Sequence, residues 1–287
     1  MLKWSVVCRL AAALGWVIGL TALPGHAHLG TPWLPAGDAL LHGERVLLVR
    51  VEGPGHHIGE GTETAVVVLD ELSESASPVA PGPIRLWQEG PHRHALEPGA
   101  LVVVVVNPTP AGGWRSLAET RTPLRMKPGG ERAAKAFVRQ WRTPTGPPLD
   151  PIEEGLGLLG HASELARRVG FERLTTEATL RPRPLSLEQL ERLFAGILLP
   201  DTEEADRLAR LRLVEVLGGT SGVEMVMRRF HLLPGERLQG AAAGLLARHP
   251  QSGTRSVLET CAAGSGGLAA RCARLLGAPS PPPADAP

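Results

Sequence analysis

The sequence predicts an α+β chain of two domains, a small β-barrel or sandwich followed by an array of paired α-helices, and three observations predict it. Composition changes along the chain: from Asp38 to about Leu117 it is rich in valine and Pro-Gly turns, and from about Glu131 it is Leu, Ala, Arg and Glu. The second part carries a series of helix-start signals. Its apolar pattern also returns, with Ala209, Leu213, Val216 and Leu217 recurring as Leu238, Ala242, Leu245 and Leu246, then as Leu268, Cys272, Leu275 and Leu276. Spacings of 29 and then 30 residues are those of stacked two-helix units, each leaving an apolar face for the next unit to cover.

The N-terminus reads as an export signal. Lys3 and Arg9 supply positive charge, Leu10 to Leu23 are apolar, and Gly25-His26-Ala27 places small residues where a signal peptidase reads. Residues 1–27 are the expected signal peptide, and His28 the first mature residue. The apolar stretch is shorter than the roughly twenty residues a membrane-spanning helix needs, so no span is expected after cleavage. Removing Lys3 and Arg9 takes the formal charge from +1 to −1. A general nucleic-acid binder needs a net basic surface, so no nucleic-acid partner is expected. The expected location is periplasmic or secreted.

Strands are predicted at Arg45–Val51, Thr64–Leu69, Ile84–Trp87 and Leu101–Val106, where β-branched residues cluster between turn signals such as Pro98-Gly99. The valine run at 102–106 cannot alternate, which predicts a strand covered on both faces. Residues 37–120 form the expected barrel, with antiparallel strands closed to hide their edges, and residues 121–149 the linker.

The helical domain is expected over residues 150–277. Asp150 with Glu153, Ser186 with Gln189, Asp201 with Glu204 and Ser221 with Glu224 have capping-box spacing, and Gly170 is read as ending the first helix. Residues 278–287 are a proline-rich tail with nothing to bury, expected to be disordered. Cys261 and Cys272 stand equidistant from the Gly264–Gly267 break, where a helical hairpin would bring them side by side. A disulfide between them is expected in an oxidising compartment.

Two resemblances follow from these residues. Gly43 to Val49, Thr64 to Leu69 and Leu96 to Val103 resemble the OB-like barrels of bacterial netrin-type modules, a fold also found in tissue inhibitors of metalloproteinases. The segment from Glu203 to Leu276 is similar to short HEAT-type repeats. The resemblance implies an OB-like β-barrel joined to a HEAT-like array.

Candidate chemistry is sparse. Six histidines lie between His28 and His94, and His28, His56, His57, His92 and His94 are the weak candidates for holding zinc or copper, imidazole being suited to both. None has the spacing of an established zinc motif. Gly155-Leu-Gly157-Leu-Leu-Gly160 spells a dinucleotide fingerprint but lies in a helical pattern, without the strand that motif requires. Gly219-Thr220-Ser221-Gly222 reads as a helix break, not a nucleophile elbow. Glu153-Glu154 and Glu203-Glu204 sit in first helical turns, where they complement the helix dipole. The expectation is a protein that is not an enzyme, takes no cofactor, and binds a protein or peptide partner as a scaffold of the cell envelope. The alternatives are a metal-binding protein using the barrel-loop histidines and, by fold analogy, a secreted protease inhibitor.

Overall fold

The computed structural model describes residues 35–59, 61–89, 96–110, 113–116, 124–180 and 183–277. The expected signal peptide, His28, His92, His94 and the proline-rich tail lie outside them. The described residues divide into two compact units: those from 35 to 150 with Gly157–Arg173, and Pro151–Leu156 with those from 174 to 277. This division differs from the boundary drawn at residue 150, because residues 157–173 belong with the barrel.

In the first unit a short helix, α1 (Ala36–His42), leads into β1 (Arg45–Val51), β2 (His56–Ile58), β3 (Gly61–Glu71), β4 (Gly82–Glu89), β5 (Leu101–Pro108), β6 (Trp114–Ser116) and β7 (Leu124–Met126). The ring runs β1-β3-β4-β6-β5 and closes through a β1–β5 pairing, with β2 added beside β3 and β7 beside β5. This is a closed five-stranded OB-like barrel. It is not wholly antiparallel as expected, since β4 and β6 run parallel. The reason is arithmetical: a ring with an odd number of strands cannot alternate direction at every pairing.

Leu47, Val49, Val51, Val102, Val104 and Val106 face the barrel interior with Val66, Val68 and Leu86. The alternate residues Val46, Leu48, Val103 and Val105 face outward against α1, against α2 (Glu131–Arg142) and against the first part of a later helix, α4 (Glu164–Leu180). Both faces of β1 and β5 are therefore buried, which accounts for their unbroken apolar runs. Each buried valine contributes about 1.5–3 kcal/mol of transfer free energy. The segment expected to be a linker, 121–149, supplies β7 and α2 to this core. Side chains on α2 hold α1 in place: Trp141 Nε1 donates to the Gly37 carbonyl at 2.9 Å, and Arg142 Nη1 to that of Gly43 at 2.9 Å. From α4, Glu172 accepts the Ala36 N–H at 2.6 Å.

The apolar stripe from Ile152 to Val169 is carried by two helices, α3 (Pro151–Leu159) and α4. Buried Ser163 caps α4, accepting the Ala166 N–H at 3.4 Å. Gly170 does not end α4, which continues to Leu180. A glycine stops a helix most readily by entering the left-handed region, and Gly170 is not among the positive-φ glycines.

The second unit contains α5 (Leu187–Leu198), α6 (Glu204–Arg229), a 3₁₀ turn (Phe230–Leu232), α7 (Glu236–Arg248), α8 (Thr254–Ala262) and α9 (Gly266–Leu275). The capping box at the start of α5 is reciprocal, Gln189 N–H donating to Ser186 Oγ at 3.2 Å and Ser186 N–H to Gln189 Oε1 at 2.9 Å. The box expected at Asp201 does not form, because α6 starts two residues later than that spacing needs and its N-cap is Glu203, without a side-chain bond. Gly219 breaks α6 at φ 50°, ψ −135°, a conformation that L side chains avoid. Among the described residues no helix is long and apolar enough to cross a membrane.

Candidate binding surfaces

On the barrel, β3 and β4 present an outer face fixed by their register. Glu63 stands opposite Trp87, Ala65 opposite Arg85 and Val67 opposite Pro83, and directly opposed residues share a face. Trp87 lies flat on Gly61, where a Cβ would stand 2.2 Å from the indole Cζ2. Only glycine accommodates the ring there. Arg85 donates to Glu63, and half-exposed Ile58 on β2 adjoins Gly61. Two other tryptophans have structural roles, Trp114 packing against the barrel core and Trp141 against Phe137 at 5.6 Å.

The two described metal candidates do not converge. His56 and His57 form part of β2 instead of a loop, so their side chains point to opposite faces. His57 Nδ1 lies 3.2 Å from Thr62 Oγ1. Among the described residues no group of three or more His, Cys, Asp or Glu side chains is placed to hold a metal ion. His161 is structural: its Nδ1 accepts the Ser163 N–H at 2.9 Å, and its ring meets Phe137 at 5.6 Å. Burial, with the Arg167 charge second, holds its pKa below the usual histidine value, in keeping with a neutral acceptor nitrogen.

The glycine pattern at 155–160 lies along α3 and the break that follows it, with no strand before it. Glu153 accepts from Gln189 Nε2 at 2.6 Å and Arg192 Nη1 at 2.7 Å, a structural contact between α3 and α5.

In the helical unit the first part of α6, then α7 and α9, lie side by side and run parallel. Glu204 pairs with Arg237 at 3.5 Å near the start of the first two helices, and Glu215 pairs with Arg248 at 2.9 Å near their ends. Each pair is 33 residues apart, whereas the sequence pattern recurs after 29. The difference is about one helical turn, so the apolar stripe keeps its phase while the true lateral neighbours shift. Val216 and Leu275, expected on the buried face, are exposed. Cys261 and Cys272 are joined in a disulfide with Cα atoms 6.0 Å apart, stapling α8 to α9.

Sequence reading missed two close approaches. On α7, a Cβ at Gly240 would stand 3.2 Å from Arg271 Nη1 of α9, and at Gly244 one would stand 3.6 Å from Arg248 Nη1 and 3.9 Å from Arg271 Nη2. The available signal was a Gly-x-x-x-Gly spacing inside a Leu/Ala helix, which places both glycines on one face. No family model and no curated protein matches the chain.

Proposed function

We propose that this chain is a non-catalytic binding protein of the cell envelope, in which a netrin-type OB-like barrel accompanies HEAT-type repeats that engage a protein or peptide partner. The observation that carries this reading is the parallel alignment of α6, α7 and α9. Of the three parallel helices α6 and α7 are tied at both ends by ion pairs, and half-buried small residues such as Ala241 and Gly244 leave the α7 backbone open to approach. An extended surface of this kind suits a partner laid across several helices. The export pattern at the N-terminus and the Cys261–Cys272 bridge support an oxidising location.

The test uses the full chain with a photocrosslinking residue at Ala241 on α7 or, separately, at exposed Ala65 on β3. Irradiation in extract of the producing cells, identification of the adduct by mass spectrometry and its re-formation with the purified partner constitute the experiment. An adduct from position 241 and not from 65 supports the proposal. An adduct confined to position 65 transfers binding to the barrel, and no adduct from either position overturns it.

A further inference from the structure

Resting on that reading, we infer that the partner is an acidic peptide segment whose carboxylates are gripped by Arg248 and Arg271 above Gly244. The charge arrangement carries the inference. Arg248 commits Nε and Nη2 to Glu215, at 3.1 and 2.9 Å, which leaves Nη1 turned toward Gly244. Arg271 crosses from α9 and brings Nη2 to the same point. Two guanidinium groups from adjacent helices thus converge on one glycine, where like charges repel unless an anion lies between them.

Two of the carboxylates nearby are engaged by other cations. Glu215 is held by Arg248 and by His249 Nε2 at 3.0 Å, and Glu204 by Arg237. Glu236 reaches over Gly267, one turn before Arg271 on α9, and forms no ion pair with Arg271. Among the described residues the side chains of Arg212, Arg271 and Arg274 have no hydrogen-bond or ion-pair partner. Arg212 stands one turn before Glu215 on α6, and Arg274 one turn after Arg271 on α9. Arg271 can take a carboxylate through the two parallel bonds of its planar fork, the strongest class of charge-assisted contact, while Arg248, its Nε and Nη2 held by Glu215, adds a single bond from Nη1.

The spacing favours an extended peptide. Neighbouring helices lie about 8–10 Å apart, and a peptide in the extended polyproline II conformation advances about 3.1 Å per residue and returns every third side chain to the same face. Carboxylates about three residues apart therefore reach arginines on successive helices. A nucleic acid is disfavoured by the chain's formal charge of +1, since polyanion binding draws on a broadly basic surface.

The probe is a fluorescent Ser/Gly peptide of about twelve residues with Glu at every third position, titrated against the oxidised full chain and followed by anisotropy. A matched peptide with Gln in place of Glu is the control. The expected result is saturable binding of the Glu peptide alone, weakened about tenfold or more by Arg271→Gln and by Arg248→Gln. Gly244→Leu retains both arginines and fills the floor between them, so it should also abolish binding while the helical circular dichroism stays at the parent value. Equal binding of the two peptides, unchanged binding in Arg271→Gln, or full displacement by millimolar inorganic phosphate would overturn the inference, the last by reducing the site to a simple anion hole. If the peptide fails while the crosslinked adduct from position 241 persists, partner binding stands and only its acidic chemistry is wrong.

Discussion

Replacing Glu71 with Gln tests the ion network that holds the segment after β3. The Glu71 carboxylate is buried and accepts from Arg45 Nη1 at 3.0 Å, Ser73 Oγ at 2.9 Å and the Val79 N–H at 2.7 Å. Glutamine keeps the shape and loses the symmetry. If its oxygen keeps Arg45 and Ser73, its NH₂ meets the Val79 N–H, donor against donor; flipping the amide turns the NH₂ on Arg45 and Ser73 instead. Orphaning one donor costs about 1–3 kcal/mol, and losing the charge on the remaining bonds adds to it. Allowing for solvent screening at the partly exposed Arg45, the expected loss is about 3 kcal/mol, or a Tm lower by about 6–12 °C.

The same substitution has a pH signature. Burial, the largest influence, pushes the Glu71 pKa up, but the Val79 N–H, the bonds from Arg45 and Ser73 and the Arg45 charge outweigh it, leaving it below the ordinary value of 4.5. A carboxylate with a depressed folded-state value stabilises fully above its unfolded value, and loses that contribution as pH falls through the folded one. The stability gap between parent and Glu71→Gln should therefore be constant above about pH 5 and narrow below 4.5. Urea unfolding followed by tryptophan fluorescence across that range measures it. A gap under about 1 kcal/mol at neutral pH, or one that does not narrow in acid, would refute the reasoning.

Further outcomes follow from packing and covalent links. Gly43→Ala should cost about 3 kcal/mol or more, because its Cβ would stand 1.9 Å from Val105 Cγ1; combining it with Val105→Ala should cost less than the sum of the two, as denaturant melts of the four proteins will show. Exported protein, freed of residues 1–27 and with them of Cys8, should show no free thiol by mass after alkylation. Replacing Cys261 and Cys272 together by Ser should lower stability by roughly 3 kcal/mol, with faster amide exchange concentrated in α8 and α9. Chelator-treated protein should bind zinc or copper no tighter than about 10 μM by calorimetry; submicromolar affinity abolished by His92→Ala or His94→Ala would instead make metal binding the leading function.

Local chemistry made much of the fold legible. The strand at Arg45–Val51 was read with its observed bounds because β-branched residues fill it and turns flank it. Ser186 and Gln189 announced α5 because a capping box closes within a single turn. The short strands β2, β6 and β7 gave no such signal, since three residues cannot establish a period and pairing alone holds them in the sheet.

The candidate surface was legible only in fragments. Gly240, Gly244, Arg248 and Arg271 were all visible as residue types, but nothing local to α9 indicates that Arg271 crosses α7. A slip of about one helical turn leaves an apolar stripe in phase, so the stripe alone cannot distinguish a repeat of 29 residues from neighbours 33 apart; the ion pairs of Glu204 and Glu215 decide it. Propensities and caps that act within a few residues place most of the longer helices and strands. The tertiary structure decided which of them became neighbours, how the five-stranded ring closed and where the arginines converged, because those outcomes depend on contacts between residues far apart in the chain.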